Sequence, residues 1–369
     1  MESLELTITV QDDRRVQARL QDGSETDGQF ILDPLHRNLI NLFKDWLNEG
    51  KITKRKELEI FGTLLYRALF DRDVEGFFEE CQAKADNSMQ RLRVQLSFAQ
   101  KVGDLASIPW EYLYYPDTER RVGFFLSTNV HLVLSRYMPL ATRRQALAPG
   151  ESPLRILFVV SQPEDLGPVI GDGVIEAIQD IKQAYPIHIE ELPLPTIDAF
   201  LEKIEESKPH VLHFIGHGQI DTTSGRAEIA LLADDKRHVS WVRDDEFAEY
   251  FVQMRSIPRL IFLQQCEGGF SNFSANYGGL TPQLIRAGVQ AIVAMQYPIS
   301  NSAAIIFSRN FYGELAKGEP VDNAVQSGRW RITTQISKAY NNGVFGTPVL
   351  YMRSRDGVIR PPDKTAAGS

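Results

Sequence analysis

The chain has 369 residues, of which 43% are hydrophobic and 10% aromatic, so it can bury a full core and is not globally disordered. Its net charge of −8 argues against nucleic acid as a direct partner. The two cysteines, Cys81 and Cys266, cannot form a disulfide framework and suit a reducing compartment. Neither a secretory leader nor an apolar stretch of membrane-spanning length is visible, so we expect a cytoplasmic protein that makes no membrane contact.

The first part of the chain mixes strands and helices and ends at a polar segment that carries Pro and Gly, residues 141–153. Alternating apolar residues predict a hairpin over residues 4–20. Apolar residues at helical spacing and two short apolar runs predict the next elements. These are helices over 35–49, 55–70 and 72–87, and strands over 91–98 and 130–137.

The second part alternates strands with helices of about ten or more residues. The predicted strands are 155–160, 187–192, 211–215, a more exposed one at 227–232, 260–265, 291–294 and 347–351. The predicted helices are 172–185, 196–207, 243–254, 279–287, 300–317 and 320–337. Such alternation is typical of the α/β class, with a mostly parallel sheet covered by helices on both faces. We expect residues 356–369 to form a flexible tail.

His217 and Cys266 each follow an apolar run that predicts a buried strand. Chemistry in an open parallel sheet collects beyond the carboxyl ends of the strands, so the two side chains are expected to lie within reach of each other. A neighbouring imidazole can take the proton of a thiol and leave a nucleophilic thiolate. The pattern therefore predicts Cys266 as a nucleophile and His217 as a general base and then acid.

Glycines beside both residues fit the same chemistry. The backbone N–H of Gly218 and that of Cys266 are the candidate donors to the oxyanion that forms when a carbonyl is attacked. Gly268 and Gly269 permit a sharp turn away from the strand end.

Other interpretations of these residues stay open. His213 lies on the same strand as His217 and is an alternative base, although we expect it to support the sheet. Cys81 is expected to pack in a helix. The Cys and His residues lack the spacing of metal ligands, so neither a metal nor another cofactor is expected. A scaffold that binds a partner without cutting it is the alternative to an enzyme.

The motifs together resemble the CHAT domains of the caspase and separase peptidase clan. The resemblance is carried by VLHFIGHG at 211–218, LQQCEGG at 263–269 and IPWEYLY at 108–114, with further agreement at AGVQAIVA, 287–294. It implies a caspase-like three-layer sandwich over 153–355. A catalytically inactive, pseudo-caspase-like α/β companion half would precede it over 1–145.

The resemblance also implies peptide-bond hydrolysis by Cys266 and His217. Gln264 falls where caspases keep a glutamine that lines the pocket for the residue before the cut. Glu267 stands where caspases usually have Arg, Gln or Gly, as in many CHAT domains, and both residues are expected to bind substrate. Similar stand-alone bacterial proteases act in antiviral defence and cell death, where a protein partner activates them to cut a protein substrate. The segment 221–226 is an ordinary surface loop or, alternatively, an activation loop.

Overall fold

The computed structural model describes residues 3–118, 122–139, 153–169, 171–265 and 277–359. The chain divides into two compact units. The first comprises Met1–Met138 and Arg329–Val349, and the second comprises Pro139–Gly328 and Leu350–Ser369. The division into a companion half, 1–145, and a catalytic half, 153–355, remains a prediction, and residues 329–349 of the latter fall in the first unit.

The first unit contains a sheet with strand order β3-β2-β1-β4-β7. Its strands are β1 (Ser3–Val10), β2 (Arg15–Leu20), β3 (Glu25–Gln29), β4 (Arg91–Phe98), the short pair β5 (Tyr114–Tyr115) and β6 (Phe124–Phe125), and β7 (Leu132–Tyr137). Its helices are α1 (Pro34–Asn48), α2 (Arg55–Leu69) and α3 (Arg72–Asn87). A longer 3-10 segment occupies Gln100–Ser107, and single 3-10 turns occupy Trp110–Tyr112 and Leu126–Thr128.

The predicted hairpin is confirmed: β1 and β2 are antiparallel, and every second residue of β1 is buried. This alternation places the apolar side of the hairpin on the core, as a half-buried strand requires. The predicted helices and the strand at 91–98 are confirmed as well. Strand β3 was not predicted, because its sequence ETDGQ lacks the apolar alternation that identifies strands.

A buried ion pair fixes the IPWEYLY segment inside the first unit. Arg136 on β7 donates from Nε to Glu111 Oε1 at 3.1 Å and from Nη2 to Glu111 Oε2 at 2.6 Å. The side chains of Arg136 and Glu111 are only 4% and 1% exposed. Such a paired geometry satisfies both buried charges, so neither remains uncompensated. Glu111 therefore has a structural explanation within this unit.

The second unit contains an all-parallel sheet with strand order β15-β14-β10-β8-β9. The strands of the second unit, inside and outside this sheet, are β8 (Leu154–Val160), β9 (Ile187–Leu192), β10 (Val211–Gly216), β11 (Gly218–Ile220), β12 (Ala227–Leu232), β13 (Val239–Arg243), β14 (Leu260–Gln265) and β15 (Ala291–Met295). Its helices are α4 (Asp172–Ile181), α5 (Ile197–Ser207), α6 (Asp244–Gln253), α7 (Tyr277–Ala287) and α8 (Asn301–Ala316). The boundary between the units falls within α9 (Val321–Gln335) and β16 (Pro348–Met352); α10 (Ala339–Asn342) and the 3-10 turn Val344–Gly346 lie between them.

The expected α/β class with a mostly parallel sheet is confirmed. Helix α4 packs on α8, and α6 packs on α7. In the sheet of the second unit, β8 lies between β9 and β10, so the chain leaves β8 in one direction and later continues on its other side. This reversal makes the crevice beyond the carboxyl ends of β8 and β10 a topological switch point, where ligands bind in open α/β sheets.

Two expectations about the segment after β10 need correction. The strand at 227–232 is buried rather than exposed, because α6 and α7 both pack on β12. Strands β11, β12 and β13 form a separate antiparallel sheet, of which only β12 was predicted.

The predicted tail is ordered at its start: Ile359 is buried, and its carbonyl accepts from Arg259 Nη1 at 2.9 Å. Residues 360–369 of that tail lie outside the described residues. None of the described helices is long and apolar enough to cross a membrane.

Candidate active site

The register of β10 and β14 relates the two motifs. These strands are parallel neighbours, and Gly216 is paired with Gln265. His217 follows the first of these residues and Cys266 follows the second. Neighbouring strands are about 4.8 Å apart, so the two residues directly before the predicted catalytic positions lie side by side at the end of the ladder. Cys266 and Glu267 themselves lie outside the described residues.

Gly216 is required by close packing at the end of β10. A Cβ atom at this position would lie 2.8 Å from the Phe214 ring and 3.2 Å from Ser161 Cβ. Ser161, the first residue after β8, donates its N–H to the Ile215 carbonyl at 2.8 Å. The absent side chain therefore lets the loop after β8 run close to the strand end that precedes His217.

His217 is 6% exposed, and its Nε2 lies 2.7 Å from the carbonyl oxygen of Gly167. Because a carbonyl only accepts, Nε2 carries the proton, and in the neutral imidazole Nδ1 is the basic nitrogen. Gly167 belongs to the loop after β8, residues 161–169. The carbonyl of Gly167 thus fixes the tautomer and the orientation of the His217 ring.

The contact between His217 and Gly167 was not predicted from the sequence, in which neither an Asp nor an Asn could be assigned as the partner of His217. A backbone carbonyl has no side-chain signature, so composition and spacing could not identify it. The only available signal was the position of the loop: it follows β8, a strand that ends at the same edge as β10.

Gly218 is the first residue of β11 and pairs with Ile229 of β12. The carbonyl of His217 accepts from Ala230 N at 3.1 Å, so the small antiparallel sheet begins directly at the histidine. Gly218 is buried. Its role as an oxyanion donor remains a prediction.

The segment 221–226 closes the turn between β11 and β12. The Asp221 carboxylate accepts from the N–H groups of Thr223 and Ser224, at 3.1 and 3.0 Å. Arg226 anchors the far end, because its Nη2 lies 2.7 Å from Oδ1 of the buried Asp244. The described loop is therefore ordered, and an activating role for it remains a prediction.

His213 lies inside the sheet of the second unit and is fully buried. Its Nε2 lies 3.1 Å from Gln264 Oε1, and its Nδ1 lies 2.9 Å from the hydroxyl of Tyr312 on α8. Nε2 donates to the amide oxygen, and Nδ1 accepts from the tyrosine. Burial lowers the pKa of His213 to about 3, so the ring is neutral. His213 supports the sheet, as expected, and both of its nitrogens are satisfied.

The side chain of Gln264 is 3% exposed and makes this contact with His213 two residues before Cys266. Its predicted role in substrate binding stays a prediction, and the contact gives it a second role that the sequence did not reveal. The other cysteine, Cys81, is 2% exposed on α3 of the first unit. Burial raises the pKa of the Cys81 thiol to about 11, so that thiol is protonated and unreactive at neutral pH.

Comparison with known proteins identifies a family. The model of the CHAT domain family matches residues 59–342. No curated protein matches the chain. Two structures of the Saccharomyces cerevisiae separase–securin complex, at 2.6 and 3.0 Å resolution, are similar over 78% of this chain, with sequence identities of 13% and 14% and TM-scores of 0.38 and 0.37. This chain spans only 18% of the separase chain. Because the family match covers most of its length, the chain belongs to the CHAT domain family.

Proposed function

We propose that this protein is a cysteine endopeptidase that cuts a protein substrate with a Cys266–His217 dyad. The observation that carries the proposal is the pairing of Gly216 with Gln265, the residues directly before His217 and Cys266, on adjacent parallel strands. Membership of the CHAT domain family, a family of caspase-like proteases, supports the same reaction class.

The geometry at His217 supports its role as the base. The proton on Nε2 is held by the Gly167 carbonyl, so Nδ1 is the nitrogen that can take the thiol proton of Cys266. The thiolate attacks the substrate carbonyl, and the N–H groups of Gly218 and Cys266 donate to the resulting oxyanion. The imidazolium then gives the proton to the leaving amine as the C–N bond breaks, which leaves the acyl group on the Cys266 sulfur. Water, deprotonated by His217, hydrolyses this thioester, and the thiol is restored.

Regulation by a protein partner fits the family resemblance and completes the proposal. In this view an activating partner or signal switches the protease on within a bacterial defence or cell-death pathway, in the cytoplasm. Gln264 and Glu267 contribute to the substrate pocket, and the segment 221–226 is open to a partner, because Thr223 and Ser224 at its tip are exposed.

The proposal is tested by labelling with peptidyl probes that carry an irreversible thiol-directed group. Wild type, Cys266→Ala, His217→Ala and Cys81→Ala are compared as folded proteins, with and without candidate partners. We expect labelling to disappear in the first two variants and to persist in Cys81→Ala, because the buried Cys81 thiol is protonated at neutral pH.

Each result has a defined meaning. Labelling that needs a partner would establish a switched protease, and the best probe would give the preferred residue before the cut. Labelling that survives His217→Ala unchanged would contradict the dyad. A folded wild type that no probe labels, alone or with partners, would instead favour a scaffold that binds without cutting.

A further inference from the structure

The loop after β8 supplies the carbonyl that orients His217, yet residues 161–169 contain neither a helix nor a strand. Its Glu164 forms a two-pronged ion pair with Arg237: Nε donates to Oε1 at 2.9 Å and Nη2 donates to Oε2 at 2.8 Å. The backbone N–H of Glu164 also donates to the Arg237 carbonyl at 2.8 Å. One residue on, Asp165 accepts from the N–H of Val239 at 3.0 Å.

Arg237 lies on a tight turn between β12 and β13, where its geometry is fixed. Asp235 Oδ1 accepts from the N–H groups of Arg237 and His238, at 2.9 and 3.1 Å, and Ala233 and His238 are joined by a backbone hydrogen bond. The loop after β8 is thus held by hydrogen bonds and an ion pair to the turn at one end of the small antiparallel sheet.

The same small sheet also holds the backbone of His217, through the hydrogen bond from Ala230 N of β12. The backbone of His217 and the loop that orients its ring are therefore both bound to the small antiparallel sheet. The loop returns to His217 only three residues after Glu164, at Gly167. A displacement of Glu164 would consequently move the carbonyl that holds Nε2.

We propose that Glu164, Asp165 and Arg237 form a clasp that positions the Gly167 carbonyl on His217. The proposal rests on the proposed function for its catalytic consequence. The three are positioning residues, since they act on the imidazole only through the loop. The side chains of Arg237 and Glu164 are 63% and 57% exposed, so their ion pair adds little to global stability. Its two-pronged geometry nevertheless defines one orientation of the loop.

The test compares Arg237→Gln and Glu164→Gln with the charge exchange Glu164→Arg/Arg237→Glu. Arg309→Gln is the matched control, because Arg309 makes an equally short ion pair with Asp180, at 2.8 Å and similarly exposed. We expect kcat to fall about two- to five-fold in each single variant, the range that an exposed ion pair spans, with KM unchanged. Adding Asp165→Ala to Arg237→Gln should deepen the loss, and the charge exchange should restore part of it.

A second readout is independent of peptidase activity. Nitrogen NMR of His217 reports the proton on Nε2, and we expect the clasp variants to change this signal while urea unfolding stays the same. If neither the wild type nor any variant turns over substrate, but the clasp variants still change the His217 signal, the clasp stands and the protease proposal fails. If kcat and the His217 signal are both unaffected, or if Arg309→Gln has the same effects, the clasp is refuted.

Discussion

The buried His213 should make the second unit sensitive to acid in a way that one substitution can isolate. The ring is fully buried, lies between Phe158 and Phe262 and is held by Gln264 and Tyr312. Burial lowers its pKa to about 3, whereas an exposed imidazole has a pKa of about 6.5. The folded state thus keeps the ring neutral across a pH range in which the unfolded state binds a proton.

The size of the effect follows from this difference. A group whose pKa is lowered by folding contributes stability above its unfolded pKa, and this stability is lost as the pH falls towards the folded pKa. The window is therefore between about 6.5 and 3. At pH 5 the unfolded imidazole is almost fully protonated, so the free energy of unfolding should be about 2 kcal/mol lower than at pH 7 from this residue alone.

The measurement is urea unfolding of wild type and His213→Gln at pH 7 and pH 5. Glutamine keeps a polar side chain but cannot take up a proton, so the stability gap between the two proteins should shrink by about 2 kcal/mol at the lower pH. His188→Gln changes an exposed ring and serves as the control. An equal pH dependence in wild type and His213→Gln would refute a buried neutral imidazole.

Three further substitutions test packing inside the units, one in the second unit and two in the first. Tyr312→Phe leaves a buried ring nitrogen without its donor and should cost about 1–3 kcal/mol in urea unfolding at pH 7; an unchanged midpoint would contradict the hydrogen bond. Glu111→Ala removes the carboxylate that pairs with the buried Arg136 guanidinium and should cost about 3–5 kcal/mol, with part of the loss recovered when Arg136→Met is added. Gly62→Ala places a Cβ 2.2 Å from the Tyr112 carbonyl, so thermal unfolding should show a loss of about 1–3 kcal/mol despite the better helix propensity of alanine, and a gain in stability would disprove the clash.

The parts of the site that depend on periodicity were predictable. Continuous apolar runs gave the positions of β10 and β14; β14 ends where the sequence indicated, and β10 ends one residue later. The exposure of β12 was misjudged, because α6 and α7 cover it and a short run does not reveal which helices will pack on it.

Contacts made by backbone atoms or formed across the fold could not be derived in this way. The Gly167 carbonyl and the ion pair of Glu164 with Arg237 join segments far apart in sequence, and nothing in their composition distinguishes them from ordinary loops. Gln264 was assigned by resemblance to a substrate pocket, and its contact with His213 became visible only when the faces of the strands were known.

The ladder between β10 and β14 has a consequence for how the molecule folds. The segment between the two strands contains the small antiparallel sheet and α6, so their pairing must close a long loop. Loop closure of this kind is slow and late compared with local hairpins and helices. In refolding experiments, we therefore expect the labelling of Cys266 that the proposed function predicts to return only when the parallel sheet closes, after most of the helical signal has recovered. Under the proposed function, a nascent chain would then carry both His217 and Cys266 before the two could act as a dyad.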